Sequence, residues 1–410
     1  MDSVLLKRGF LLGSLLVGVL AVSPVSGQEP LHAADAEKLE KILATPRSPD
    51  LLHCTFEPQP PLFDFAFRFE VGFIVTCSLA RFGGHASEVL VHARVTPEGG
   101  KPALLGETYR LPEITWATKH GDLNQKMEMS GGFAVGEGRY QIEVVVADRA
   151  TGRTSRKHWQ VRVARRGNQK AADVAVPPGS VVPLEIRPWP IKMDTSGKGL
   201  RVTVLLDAAP MNPRSPALRA WDRAFLLGSL SSLLNQIPCA SVRLRAFNLP
   251  QEREVFRQDQ FDDAGFVRLG ESLRTLELGT ISTRVLQKRR GGLDMLGAYA
   301  KEELTAADPS DAVIFLGPQG YFADVPRGLI PARETANPHF YYFEHFTYFF
   351  PDAQLPDAIA TFTKHLNGTI YLIFSPGDLA SSIQKMLARQ PPRSGSPSDS
   401  RWAARPAPAH

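Results

Sequence analysis

From residue 51 to 166 the apolar and polar positions follow a period of two. Phe63, Phe65, Phe67 and Phe69 interleave with Asp64, Ala66, Arg68 and Glu70, the period of a half-buried strand. Runs 71–79, 88–95, 138–147 and 158–163 continue the pattern, with breaks at Phe82-Gly83-Gly84 and Pro97-Glu98-Gly99-Gly100. The last two runs flank residues 148–153, where Gly152 stands at the position a tight hairpin fills with positive φ. Several short strands at this spacing, with no helix between them, predict a β-sandwich of immunoglobulin or fibronectin-III type over 51–166.

From residue 200 the period changes. Largely apolar runs at 201–206, 241–248, 311–316, 339–346 and 369–374, with a more polar one at 252–258, read as strands. Between them lie helical patterns at 215–236, 263–276, 293–304, 356–366 and 381–389. The first presents Leu218, Trp221, Phe225, Leu230 and Leu234 on one face. Such alternation predicts a parallel sheet covered on both faces, an α/β doubly wound, Rossmann-like domain over 200–389. The whole is multidomain. Residues 28–50 form a helical spacer and 167–199 a Pro- and Gly-rich linker with one strand at 181–186. The Pro/Ser/Ala-rich end, 390–410, has the composition of a disordered tail.

The N-terminus bears on compartment. Lys7 and Arg8 precede an apolar run from 10 to 22, and the small residues Val25-Ser26-Gly27 follow. That order is a secretory signal peptide, 1–27. The competing reading is a retained anchor. The run is shorter than the about 20 residues a spanning helix needs, so cleavage near Gly27 is preferred. No later segment resembles a span, and the expectation is an exported protein, periplasmic or secreted. Of three cysteines, Cys54 and Cys77 fall in one β-rich region, either paired, as export permits, or two buried thiols. Cys239 is left over. The net charge of +5 is scattered, with short runs at Arg165-Arg166 and Lys288-Arg289-Arg290 and no aromatic-basic platform, which argues against nucleic acid.

Three anchor points carry a resemblance: Asp207 ending the first strand of the second half, Gly291-Gly292-Leu293-Asp294 opening a helix, and Gly317-Pro318 ending the 311–316 strand. On these and on element order, residues 200–389 resemble a von Willebrand factor A domain, in the exported bacterial arrangement of signal peptide, β-sandwich and A-like domain. The resemblance implies a metal site built from Asp-x-Ser-x-Ser, a Thr at the Gly-rich helix start and a late Asp, because a hard cation such as Mg²⁺ needs several oxygens. Asp207 matches the first position. Ala209, Met211, Leu293 and Gly317 stand where the others belong, so the resemblance implies a degenerate site, with no metal and no cofactor. Asp294, Asp324 and the pair Asp262-Asp263 are unplaced sources of replacement oxygen. Without a metal, Asp207 reads as a turn residue capping the backbone of 211–215.

Other chemistry is sparse. No two of the ten His stand four apart around a Glu; His339 and His345 flank an aromatic strand. Ser229, Ser231 and Ser232 lack a Gly-x-Ser-x-Gly elbow, no Gly-rich loop carries a phosphate-binding Lys, and Asn367-Gly-Thr369 reads as a turn. Phe346, Tyr348 and Phe349 are the partner-binding candidates, since aromatics dominate interface hot spots. The preferred function is an exported, non-catalytic protein-interaction or scaffold protein. The alternative is a hydrolase-like envelope enzyme using a crevice lined by Asp207, Met211, Gly291, Gly317 and Gln319. The titratable group the sequence mainly offers there is Asp207, with Asp294 second.

Overall fold

A computed structural model describes residues 28–45, 50–83, 86–111, 125–185, 191–194, 198–213, 215–279, 291–320, 338–346 and 357–389. Its first part comprises β1 (Glu29–Pro30), α1 (Ala33–Ala44), β2 (Thr55–Pro58), β3 (Leu62–Phe63), β4 (Phe69–Ser78), β5 (Ser87–Pro97), β6 (Ala103–Leu111), β7 (Lys126–Val135), β8 (Gly138–Asp148), β9 (Thr154–Val163) and β10 (Val181–Pro183). One sheet runs β1-β6-β5-β8-β9. The other runs β10-β7-β4-β2, with β3 also on β4, and all pairs in both are antiparallel. Strand alternation does the sorting: Phe69, Val71, Phe73, Val75 and Cys77 point inward from β4, facing Val89, Val91, Ala93 and Val95 of β5. Gly152 turns the β8–β9 hairpin at φ 69°.

Two local readings change. Residues 63–70 are not one strand, because the Asp64 carboxylate accepts the N–H groups of Ala66 and Arg68 and pairs with the Arg68 guanidinium at 2.7 Å. That turn lifts Phe65 and Ala66 out of the sheet and sets Phe67 at φ 53°. Nor is α1 a spacer: Leu39 is fully buried and Glu40 pairs with Arg94 of β5. Cys54 and Cys77 form a disulfide beside the β2–β4 pairing, which joins neighbouring strands.

The second part contains β11 (Leu200–Asp207), α2 (Ala220–Gln236), β12 (Cys239–Asn248), β13 (Arg253–Gln258), α3 (Asp263–Arg274), α4 (Gly291–Thr305), β14 (Ala312–Pro318), β15 (His339–His345), α5 (Ala358–His365), β16 (Thr369–Ile373) and α6 (Pro376–Arg389). Its sheet runs β13-β12-β11-β14-β15-β16, parallel except for β12–β13. Val204 and Leu206 pack toward α2, α3 and α6, whereas Leu205, Phe315 and Tyr342 pack toward α4 and α5.

The expected fold class is corrected by this pairing. Most strands are antiparallel, the third sheet is mixed, and helices make up only 29% of the described residues, so it is not a doubly wound, Rossmann-like α/β fold. The connection 249–252 is far too short for a parallel crossover, and β13 folds back on β12 as a hairpin. No residue of β13 is fully buried, the mark of an edge strand and not of a covered parallel one.

The two parts share one continuous core. The 64–67 turn of the sandwich lies on α2: the Phe65 carbonyl accepts the Ser232 hydroxyl at 2.8 Å, and the Phe65 ring meets Phe225 edge-on at 4.4 Å. Gly228 allows this close approach, since a Cβ would stand 3.1 Å from the Ala66 nitrogen. At the other end of the contact Asn168 donates to Asp378, at the start of α6, at 2.9 Å.

Candidate functional site

The carboxyl ends of β11, β14 and β15 gather the unusual chemistry. Asp207, the last residue of β11, is 1% exposed, and neither carboxylate oxygen has a hydrogen-bond partner among the described residues. Burial pushes its pKa well above the ordinary 3.8, and the neighbouring Asp357 charge pushes it further. The Leu249 N–H, short of full hydrogen-bond geometry, opposes this only in part.

The turn after Asp207 is held by others. Asn248 donates to the Ala208 carbonyl at 2.8 Å and accepts the Gln251 N–H. The Met211 N–H goes to Asp222 of α2 at 3.0 Å, and the same carboxylate caps its own helix through Arg219 N–H. Asp222 therefore does the capping expected of Asp207, because it sits in the first turn of α2, where helix N–H groups are unpaired.

The remaining expected positions are apolar walls. Ala209, Met211 and Leu293 are buried side chains with no oxygen to offer. Gly317 has φ 145°, and a Cβ there would lie 2.9 Å from the Asp207 carbonyl oxygen. Its glycine permits β14 to pass close to the end of β11. Asp294 faces solvent from the first turn of α4, and Asp262 is engaged as the cap of α3, accepting the Gly265 N–H at 2.7 Å. Asp324 lies outside the described residues. The donor set does not fit a divalent cation: among the described residues no three His, Cys, Asp or Glu are placed to hold one.

Three groups at this edge escape a reading by motif. Glu344 on β15 is nearly buried and accepts the Gln319 amide; burial raises its pKa. Asp357 caps α5, accepting the N–H of Ile359 at 2.9 Å and of Gly320 at 3.2 Å, and burial with the Glu344 charge pushes it up to about 7. Tyr342 lies among the three acids and donates to the Pro318 carbonyl at 3.0 Å. Residue 357 carries the only legible signal, an Asp just before an apolar helical run. The arrangement places three acids at a low-dielectric edge, where burial raises each of their pKa values.

Most of the aromatic strand is core: Phe340, Tyr341, Tyr342 and Phe343 are all buried. Phe346 is half-buried, with its ring 5.1 Å from Phe374. Tyr348 and Phe349 lie outside the described residues. Beside Phe346, Phe374 and Leu372 are exposed along the β16 edge of the sheet, 45% and 51% respectively. His345 is fully buried between Phe225 and Phe65, at 4.3 and 5.4 Å, and neither ring nitrogen has a partner among the described residues.

No protein-family model and no curated protein sequence matches the chain. Among solved structures it is similar to the ArnB paralog VWA2 from Sulfolobus acidocaldarius, at 13% identity over 61% of this chain and 50% of that one, with a TM-score of 0.24. It is also similar to a Bacteroides uniformis beta-glucuronidase, at 7% identity over 66% and 36% with a TM-score of 0.19. A glycosyl hydrolase family 2 member from Bacteroides cellulosilyticus follows at 10% over 78% and 38%, TM-score 0.20. The chain spans half or less of the length of these proteins. No helix among the described residues is long and apolar enough to cross a membrane.

Proposed function

We propose that this chain is an exported, non-catalytic interaction protein whose second part is von Willebrand factor A-like, with the metal-ion-dependent adhesion site degenerate. The observation that carries the reading is the sealing of Asp207. Its carboxylate is enclosed beside Ala208, Ala209 and Met211, which offer no side-chain oxygen, and burial disfavours the charged form that a hard cation needs. Binding without a metal then falls to the surface. The β16 edge, with Leu372 and Phe374 exposed, supports a protein contact, because no strand among the described residues pairs with that edge and exposed apolar side chains favour one.

Calorimetric titration with Mg²⁺ or Mn²⁺ should give no saturable heat at micromolar concentration. A saturable signal abolished by Asp207→Ala overturns the proposal. Affinity capture from the envelope or medium should lose its partner with the double variant Leu372→Ser/Phe374→Ser, and capture unaffected by that variant removes the β16 edge from the proposal. The acids at Asp207, Glu344 and Asp357 favour one second reading, a hydrolase-like enzyme at the strand ends. That reading requires a hydrolytic activity with a pH profile displaced by Asp357→Asn.

A further inference from the structure

We infer that a cavity of about 320 Å³ between the β12–β13 hairpin and the last turn of α4 is a binding site for the zwitterionic head of a free α-amino acid. It lies toward the amino end of the mixed sheet, away from Asp207. Its size is at the lower end of the about 300–1,000 Å³ that small-ligand sites occupy.

Arg243 and Arg245 are two apart on β12 and so project from one face, and Arg257 of β13 is the cross-strand partner of Arg245. Two guanidinium groups set directly opposite repel. Glu302 of α4 relieves this by accepting both Nη groups of Arg245 and Nη2 of Arg257, the latter at 2.9 Å. Asp308 holds Arg243 through its carbonyl, which accepts Nη2 at 2.8 Å. The Arg245 guanidinium also lies over the Tyr299 ring, 5.5 Å from its centroid.

These pairings leave two groups over. Arg245 and Glu303 are each 2% exposed, and both line the cavity. Glu303 Oε1 accepts the Thr203 hydroxyl at 3.1 Å, whereas Oε2 has no hydrogen-bond partner among the described residues; Arg243 Nη1 stands 3.9 Å from it. Arg245 Nε has no partner among the described residues either. An enclosed acceptor and an enclosed donor each carry a desolvation cost, which a ligand bearing both counterparts relieves.

The charges select that ligand. Three arginines and four acids line the cavity. Inorganic phosphate would reach the arginines only by also facing Glu303 and Asp308, and a simple amine would seat its charge beside Arg243 and Arg245. A hard metal cation is not accommodated, because among the described residues no three His, Cys, Asp or Glu are placed to hold one. A free α-amino acid carries both charges one carbon apart. Its ammonium donates to Glu303 Oε2, its carboxylate accepts from Arg243 Nη1 and Arg245 Nε, and Ala306 and Ala307 leave room for a small side chain. Burial raises the Glu303 pKa, opposed in part by the Thr203 hydroxyl, Arg243 and Arg245, and the ammonium favours the charged form further.

The test is calorimetric titration of the full chain with glycine, L-alanine and L-serine, with methylamine, acetate and phosphate as single-charge controls. At least one amino acid should give saturable heat, and the controls none over the same concentrations. Glu303→Gln keeps the shape, removes the charge and should weaken binding about tenfold or more. Ala307→Leu, at an exposed lining position, blocks the cavity without touching an ion pair, and it decides the matter if Glu303→Gln fails to fold. The inference is overturned by the absence of saturable heat with all three amino acids, or by any control binding as tightly as they do. It is equally overturned by binding that survives Ala307→Leu, or a folded Glu303→Gln, undiminished.

Discussion

Acid should act on the junction between the sandwich and the mixed sheet through His345. The ring is enclosed by Phe225 and Phe65, neither nitrogen has a partner among the described residues, and burial holds its pKa at about 3, against an ordinary 6.5. In the unfolded chain the ring takes a proton once pH falls below about 6.5, whereas in the folded protein it stays neutral to about 3. The unfolded state then binds more protons. Stability is intact above pH 6.5 and drains as pH falls through this window. At about 1.4 kcal/mol per unit, the loss is about 2 kcal/mol by pH ~5 and about 5 kcal/mol once pH drops below the folded pKa.

The buried acids pull the other way. Asp207, Asp357 and Glu344 have raised pKa values, so the folded protein keeps protons the unfolded chain releases, and acidification stabilises it. The His345 contribution must therefore be read as a difference. His345→Leu keeps a comparable volume between the two rings and removes the titration. Urea unfolding of both proteins across roughly pH 7.5 to 4 gives the two profiles. The advantage of the variant should grow by about 2 kcal/mol between pH ~7.5 and ~5. A constant gap over that range refutes a neutral, partnerless ring at the junction.

Three further outcomes are expected. Gly317→Ala should cost about 2 kcal/mol or more, because alanine is strained at φ 145° and its Cβ meets the Asp207 carbonyl; a urea midpoint unchanged from wild type contradicts the close passage of β14. Asp207→Asn should gain stability relative to wild type as pH rises above the ordinary 3.8, by about 1.4 kcal/mol per unit up to the folded pKa, and thermal melts at several pH values with parallel slopes would count against a protonated Asp207. Cys54→Ser should lower stability by about 3 kcal/mol, since the bond closes a loop with a sequence separation of 23, and the loss should match that of wild type unfolded under reducing conditions.

What the sequence discloses here follows from the range of the interactions involved. The sandwich strands β4, β5 and β8 alternate with period two because their inner face is dry and their outer face wet, and that is a local signal. The run 63–70 has the same alternation, yet Asp64 breaks it by bonding its own backbone, an outcome that depends on one carboxylate reaching two N–H groups. The edge role of β13 hinges on the shortness of 249–252, a length more telling than the hydrophobicity of the strand itself. At the site, Asp207, Ala209, Met211 and Leu293 can be picked out because a pattern points to them. Glu344 and Tyr342 cannot: on β15 they look like two members of an aromatic run, and only the parallel register with β14 sets them beside Pro318 and Gln319.

The carboxylate at position 207 is a cost the fold does not need. A sequence shaped for stability alone would place an apolar residue there, since a buried acid without partners is destabilising and a hydrophobic substitute of similar size often is not. The surrounding residues nevertheless accommodate it: Gly317 leaves room beside it, Asn248 secures the turn beyond it, and Asp222 takes over the backbone groups it does not reach. Because stability does not account for the acid, its effect on binding is the informative quantity. If Asp207→Asn is more stable than wild type yet captures the same partner, the acid serves neither the fold nor the contact. If the more stable variant loses the partner while the β16 edge is untouched, the carboxyl end of the sheet, and not the exposed aromatics, is where this protein meets its ligand.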